Sequence, residues 1–189
     1  LNDGLVGYWK LDDGSGSTIA RDSSGNGNHG TLPGHTGIQT QTGWTIPTYT
    51  GSFFNPAALS FDGIDDRVLT ESNPISTGED VTVSTWFKGA PSPFSRYLFI
   101  AGYRVWIGSN DFKFYAGEGA WTAITSDYNP NEWIHVAAVQ DSTAETAKIF
   151  VDGIEKVDSP SGATTPAAYV SMGASNTGAN PMKGSLDDF

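Results

Sequence analysis

The sequence has no cysteine, and only two methionines, three histidines and ten basic residues among its 189 positions. Without cysteine there is no disulfide framework, and the redox compartment stays open because secreted domains of this size also fold without disulfides. Ten Lys and Arg stand against 21 Asp and Glu, and the resulting net charge of −11 repels nucleic acid and anionic membrane surfaces. No apolar run approaches the length of a membrane span or of a signal-peptide core, so membrane insertion is not expected of these residues. The chain opens on Leu1, which fits a processed product or a piece of something longer, with any signal or anchor outside it.

The familiar catalytic spacings are missing too. There is no Gly-x-Ser-x-Gly elbow and no His-Glu-x-x-His zinc site. His135 sits in an apolar strand and reads as a structural side chain; His35 has no acidic or nucleophilic neighbour in sequence. His29 lies in an Asn- and Gly-rich loop, where a hard cation would avoid imidazole. The acidic pairs Asp12-Asp13, Asp65-Asp66 and Asp187-Asp188 are adjacent, so in a strand their members point to opposite faces and form no carboxylate dyad alone. No catalytic residue is assigned.

What the sequence does contain is turn residues and aromatics: 23 Gly, 10 Pro, 10 Phe, 7 Tyr and 6 Trp. A chain of this length suits one domain, residues 1–189, and short apolar runs punctuated by Gly and Pro indicate an all-β fold. Strand patterns of period two fall at Gly7 to Leu11, Leu59 to Phe61, Arg67 to Leu69 and Val81 to Lys88. A meander follows through Tyr97 to Ala101, Tyr103 to Ile107 and Phe112 to Tyr115. Trp133 to Val139, Ala147 to Val151, Ile154 to Val157, Tyr169 to Met172 and Gly184 to Phe189 complete the set. Asp152-Gly153 between two such runs is the favoured chemistry of a type I′ hairpin. No helix is predicted, and residues 31–56 read as a long loop excursion.

The segment from Asp22 to Gly30 alternates oxygen-bearing side chains at Asp22, Ser24, Asn26 and Asn28 with Gly25, Gly27 and Gly30. Ca²⁺ takes six to eight oxygen ligands, and such a loop can wrap around it. The same residues also make ordinary turns by bonding to their own backbone, so both readings stand on local grounds. Trp9, Trp86 and Trp133 lie in alternating strands and are expected in the core. Trp44, Tyr49, Trp121 and Tyr128 fall in Gly-, Thr-, Ser- and Asn-rich context, where a ring can stack on a sugar or fold back over a sheet edge.

Seven fragments in order resemble the laminin G-like, concanavalin A-like lectin/glucanase jelly-roll domains. They are Gly4 to Gly16, Asp22 to Gly30, Leu59 to Val68, Val81 to Phe87, Trp133 to Ala137, Ile149 to Gly153 and Gly184 to Asp188. The resemblance implies a two-sheet antiparallel β-sandwich, a non-catalytic binding role and a bound calcium. Its metal ligands would be Asp22, Asn26 and Asn28 with Asp187 or Asp188, so that one cation ties the two ends of the chain together. The family continues its closing strand with more apolar residues where this chain has Phe189, so a truncation, or a neighbouring segment or chain completing the sheet edge, is expected. The function expected is recognition of a glycan or an extracellular protein surface, outside the cell or at its surface, within an adhesin or a multidomain enzyme. A structural or assembly domain of a surface filament or virion is the runner-up, and a hydrolase or lyase the third reading.

Overall fold

A computed structural model describes residues 4–14, 17–33, 44–45, 58–75, 79–89, 96–100, 103–108, 111–116, 121–125, 129, 131–160 and 168–189. Among these residues there are strands and no helix, arranged as two antiparallel sheets. The all-β sandwich expected from the sequence is the fold observed.

The eight-stranded sheet contains β1 (Ile19–Ala20), β2 (Gly30–Thr31), β5 (Val68–Thr70), β7 (Arg96–Ile100), β8 (Tyr103–Ile107), β9 (Asp111–Ala116), β10 (Trp121–Thr125) and β14 (Ser171–Met172). Its order is β1-β2-β5-β14-β7-β8-β9-β10; β7 through β9 form the expected meander, and β10, which the sequence reading did not anticipate, extends it. The seven-stranded sheet contains β3 (Trp44–Thr45), β4 (Ala58–Asp62), β6 (Val81–Gly89), β11 (Ile134–Asp141), β12 (Thr146–Val151), β13 (Ile154–Pro160) and β15 (Lys183–Asp187). It runs β13-β12-β11-β6-β15-β4-β3.

Period-two alternation drives the packing between the sheets. Along β11, Ile134, Val136, Ala138 and Gln140 point inward while the residues between them are half-buried. Phe87, Leu59, Leu186 and Ile149 from one sheet meet Leu98, Phe99, Val105 and Met172 from the other. Each fully buried side chain of this size contributes roughly 1.5–3 kcal/mol of transfer free energy. The pair Gly89 and Gly184 lies opposite across β6 and β15. A Cβ at Gly89 would collide with the Phe87 ring and one at Gly184 with the Lys88 carbonyl, so core packing demands glycine there.

Two turns are informative. Asp152 and Gly153 have φ of 50° and 75°, the left-handed pair that a type I′ turn requires, and Val151 pairs with Ile154 across them. The turn at Asp62-Gly63 closes no hairpin between the strands on either side of it. β4 and β5 belong to different sheets, and the turn carries the chain across the sandwich because Phe61 and Val68 both enter the core from opposite layers. Trp9 and Leu11 share the buried side as expected, at 3% and 0% exposure.

Candidate functional site

The Asp22 loop closes on the first described segment. The Asp22 side chain is buried, and its Oδ1 accepts from the amides of Tyr8 at 3.0 Å and Ser24 at 2.8 Å. Oδ2 accepts from the Ser24 hydroxyl at 2.8 Å and the Asn28 amide at 2.9 Å. Burial pushes the Asp22 carboxyl up, but the Ser24 hydroxyl and the three amides outweigh it and hold it below the usual carboxylate range. Asn26 and Asn28 donate their side-chain amides to the carbonyls of Leu5 and Val6, each at 2.8 Å. His29 Nδ1 accepts from the Asp22 amide at 3.1 Å.

A carboxylate offers about four acceptor positions, and those of Asp22 already meet four donors. The arrangement is that of an Asx-type turn, and a metal ligated by Asp22 would have to displace donors aimed at it.

Asp187 and Asp188 approach the same region from the end of β15. The Tyr8 hydroxyl donates to Asp188 Oδ1 at 2.8 Å, so Tyr8 links the Asp22 loop through its amide to Asp188 through its ring. Burial, the hydrogen bond to Asp188 and the nearby charges of Asp188, Asp187 and Asp12 push the Tyr8 hydroxyl up to about 12. Asp187 is buried, and desolvation, then the Asp188 charge, raise its carboxyl to about 7 despite the Asp188 amide; Asp12 adds to the rise. Asp12, Asp187 and Asp188 thus gather at this terminal seam, beside the Asp22 loop.

A second acidic group lies at the sheet-crossing turn. Asp62, Asp65 and Asp66 place carboxylate oxygens within 4.8 Å of one another and could hold a metal ion. Asp66 Oδ2 accepts from the Asp62 amide at 2.7 Å, and Asp62 Oδ1 accepts from the Ile64 amide at 2.7 Å. The sequence signal is a set of acids at i, i+3 and i+4 around Gly63, which the turn, and not strand parity, brings together.

The outer face of the seven-stranded sheet carries a ring pair. Trp86 is 36% exposed, with its neighbours Thr85 and Phe87 buried on the opposite side of β6. The core position expected for Trp86 is therefore corrected. Its parity with Thr82 and Ser84, rather than with Val81, Val83 and Phe87, sends it outward. His135 lies opposite Trp86 across β6 and β11, and the rings meet edge-on at 5.3 Å. The His135 backbone is fixed by Asp152, whose Oδ1 accepts its amide at 2.8 Å. Half-buried Ser84, Ser185 and Lys88 share this face.

Of the aromatic residues expected to contact ligand, Tyr49 and Tyr128 lie outside the described residues. Trp44 is placed as backbone in β3, at one edge of the seven-stranded sheet, and Trp121 in β10, at an edge of the other. β10 contacts β13, the far edge from β3, so Trp44 and Trp121 do not share a site.

A sequence profile of the concanavalin A-like lectin/glucanases superfamily (Laminin_G_3) matches residues 62–189. The chain belongs to this superfamily. Among curated proteins, none matches it. In solved structures it resembles domain 4 of AbnA, a GH43 extracellular arabinanase from Geobacillus stearothermophilus in complex with arabinotriose, at a TM-score of 0.68 and 19% identity. That likeness covers 97% of this chain and 89% of the domain. A mutant of Trypanosoma rangeli sialidase displaying trans-sialidase activity is similar at 0.71 and 11% identity, over 100% of this chain and 30% of the sialidase. A carbohydrate-binding protein candidate from Bacteroides ovatus gives 0.55 and 16%, over 75% of this chain and 47% of that one. At these identities the likenesses establish the sandwich, and this superfamily member spans under half of the latter two chains.

Proposed function

We propose that residues 1–189 form one non-catalytic, extracellular recognition module that binds carbohydrate on the outer face of the seven-stranded sheet. The observation that carries this reading is the exposed Trp86 ring, held edge-on by His135 and flanked by Ser84, Ser185 and Lys88. An aromatic face with hydroxyl and ammonium donors beside it suits the C–H faces and hydroxyls of a sugar. The arabinotriose complex of a superfamily fold at 19% identity supports a glycan as the ligand class. Trp44, Tyr49, Trp121 and Tyr128 stay as secondary stacking candidates.

The non-catalytic part is supported by how the close-set acids are used. Asp62 and Asp66 accept backbone amides that shape the crossing turn, and Asp188 holds the Tyr8 hydroxyl. The cofactor of this reading is calcium, which oxygen-only ligands favour. It has two candidate seats: Asp62, Asp65 and Asp66, and the terminal seam at Asp187 and Asp188.

Affinity electrophoresis in gels containing arabinan and other polysaccharides tests the ligand. Retardation that is lost in Trp86→Ala at unchanged Tm supports the reading, whereas equal retardation of both proteins, or release of reducing sugar, overturns it. Melting curves in Ca²⁺ and in EDTA test the metal. Stabilisation by Ca²⁺ that disappears in Asp65→Asn or in Asp188→Asn identifies the seat, and superimposable curves remove calcium.

A further inference from the structure

The outer face of the seven-stranded sheet extends beyond Trp86 and His135. β6 and β11 pair in a register that sets Trp86 opposite His135 and Phe87 opposite Ile134. One step further along that register, Lys88 stands opposite Trp133. The Asn131 amide donates to the Gly89 carbonyl at 2.9 Å, which holds the chain against β6 just ahead of β11.

Parity decides where Trp133 faces. Buried Ile134, Val136 and Ala138 alternate with half-buried His135, Ala137 and Val139, and half-buried Trp133 continues the second series. The core position expected for Trp133 is therefore corrected, as it was for Trp86. Lys88, two residues beyond Trp86 on β6, is half-buried on the same face.

These four side chains form a checkerboard. Trp86 and His135 share one row, with their rings 5.3 Å apart, and Lys88 and Trp133 share the next. The two indoles thus occupy one diagonal and the two nitrogen-bearing groups the other. Diagonal neighbours across an antiparallel pair lie about 7–8 Å apart, a separation that lets each indole carry its own sugar ring. Asp187, which pairs with Trp86 from β15, is buried, whereas His135 on the β11 side is half-buried. The accessible side of Trp86 is therefore the side on which Trp133 stands.

We propose that Trp86 and Trp133 are two adjacent sugar subsites, so that the ligand is an oligosaccharide stretch of at least two residues lying diagonally across β6 and β11. His135 and Lys88 flank that diagonal and meet the hydroxyls of the sugar chain from its two sides. Two linked sugars engage the two indoles as one bivalent ligand, and the linkage itself raises affinity. The inference deepens the glycan reading of the Trp86 face and rests on it.

The test is calorimetric titration of the 189-residue chain with arabinose, xylose and glucose and with arabinotriose, xylotriose and cellotriose. In at least one of the three series the trisaccharide is expected to bind at least about tenfold tighter than its monosaccharide. Trp133→Ala is expected to bring that trisaccharide within about twofold of the monosaccharide, and Trp133→Phe to recover most of the difference. Fluorine spectra of fluorotryptophan-labelled protein read the same contact without substitution: the trisaccharide is expected to shift the Trp86 and Trp133 resonances together. Should Trp133→Ala not fold, these spectra decide. A trisaccharide bound no tighter than its monosaccharide, yet still lost in Trp86→Ala, overturns this inference and leaves the glycan reading standing. Equal trisaccharide affinity of parent and Trp133→Ala, or a resonance shift confined to Trp86, has the same meaning. Binding of none of the six sugars overturns both.

Discussion

Trp9 and Phe189 exchange both of their backbone hydrogen bonds, at 2.7 and 2.9 Å, and their rings stand 5.8 Å apart inside the core. Phe189 also meets Phe99 of the eight-stranded sheet edge-on at 5.4 Å. Residues 9 and 189 are thus joined by a buried contact that reaches across both layers. Phe189→Ala is expected to cost about 3–5 kcal/mol in urea denaturation, the range for emptying a buried phenylalanine site. A loss below about 1 kcal/mol would mean that this seam opens independently of the rest of the fold.

The strands were legible because alternation is a local property, and β6, β11, β12 and the type I′ turn follow it directly. Sheet membership is not local. Nothing in Phe61-Asp62-Gly63 tells a hairpin from a crossing, because the choice rests on which layer Val68 joins. The outward Trp86 was legible from parity alone, but a tryptophan among valines reads as core until its neighbours across the sheet are known. The Asp22 loop shows the limit for polar residues: the same oxygens can face a cation or backbone donors, and the sequence does not place the Tyr8 amide that meets Asp22.

Asp22 concentrates four of those donors on one buried carboxylate, and Asp22→Asn turns one of its two oxygens into a donor group facing N–H or O–H partners. The expected loss is about 1.5–3 kcal/mol, typical of a hydrogen-bonded charged group, measured by denaturation in parallel with and without EDTA. The loss is expected to be the same in both buffers, because it arises from hydrogen bonds. A loss confined to Ca²⁺ buffer would instead make Asp22 a metal ligand.

The two shifted carboxylates give opposite pH dependences in the metal-free protein. Asp22 is held below its unfolded value, so the stability it contributes is present above the unfolded pKa near 3.8 and lost as pH falls through its folded value. Asp187 is raised to about 7, so the folded state binds the extra proton between about pH 4 and 7, and stability declines as pH rises through that window. Melting temperature in EDTA is expected to be highest near the lower end of that window and to fall toward pH 8. Asp187→Asn is expected to flatten the neutral limb and leave the acid limb in place. A parent curve flat from pH 4 to 8 would show that Asp187 stays ionised in the fold.

Gln140 is the one inward-facing position of β11 with a long polar side chain, opposite Val81 on β6 and Ala147 on β12. It is 4% exposed, and its Oε1 has no hydrogen-bond partner among the described residues. Such an oxygen keeps its desolvation cost without recovering a bond, a penalty of about 1–3 kcal/mol. Methionine has nearly the same length and shape and carries no carbonyl. Gln140→Met is therefore expected to raise stability by about 1 kcal/mol in urea denaturation, with the slope of the transition unchanged. Gln140→Ala, which leaves a void beside Ala138 and Ala147, is expected to lose stability instead. Destabilisation by the methionine variant would mean that Oε1 is bonded in solution, with a buried water as its partner.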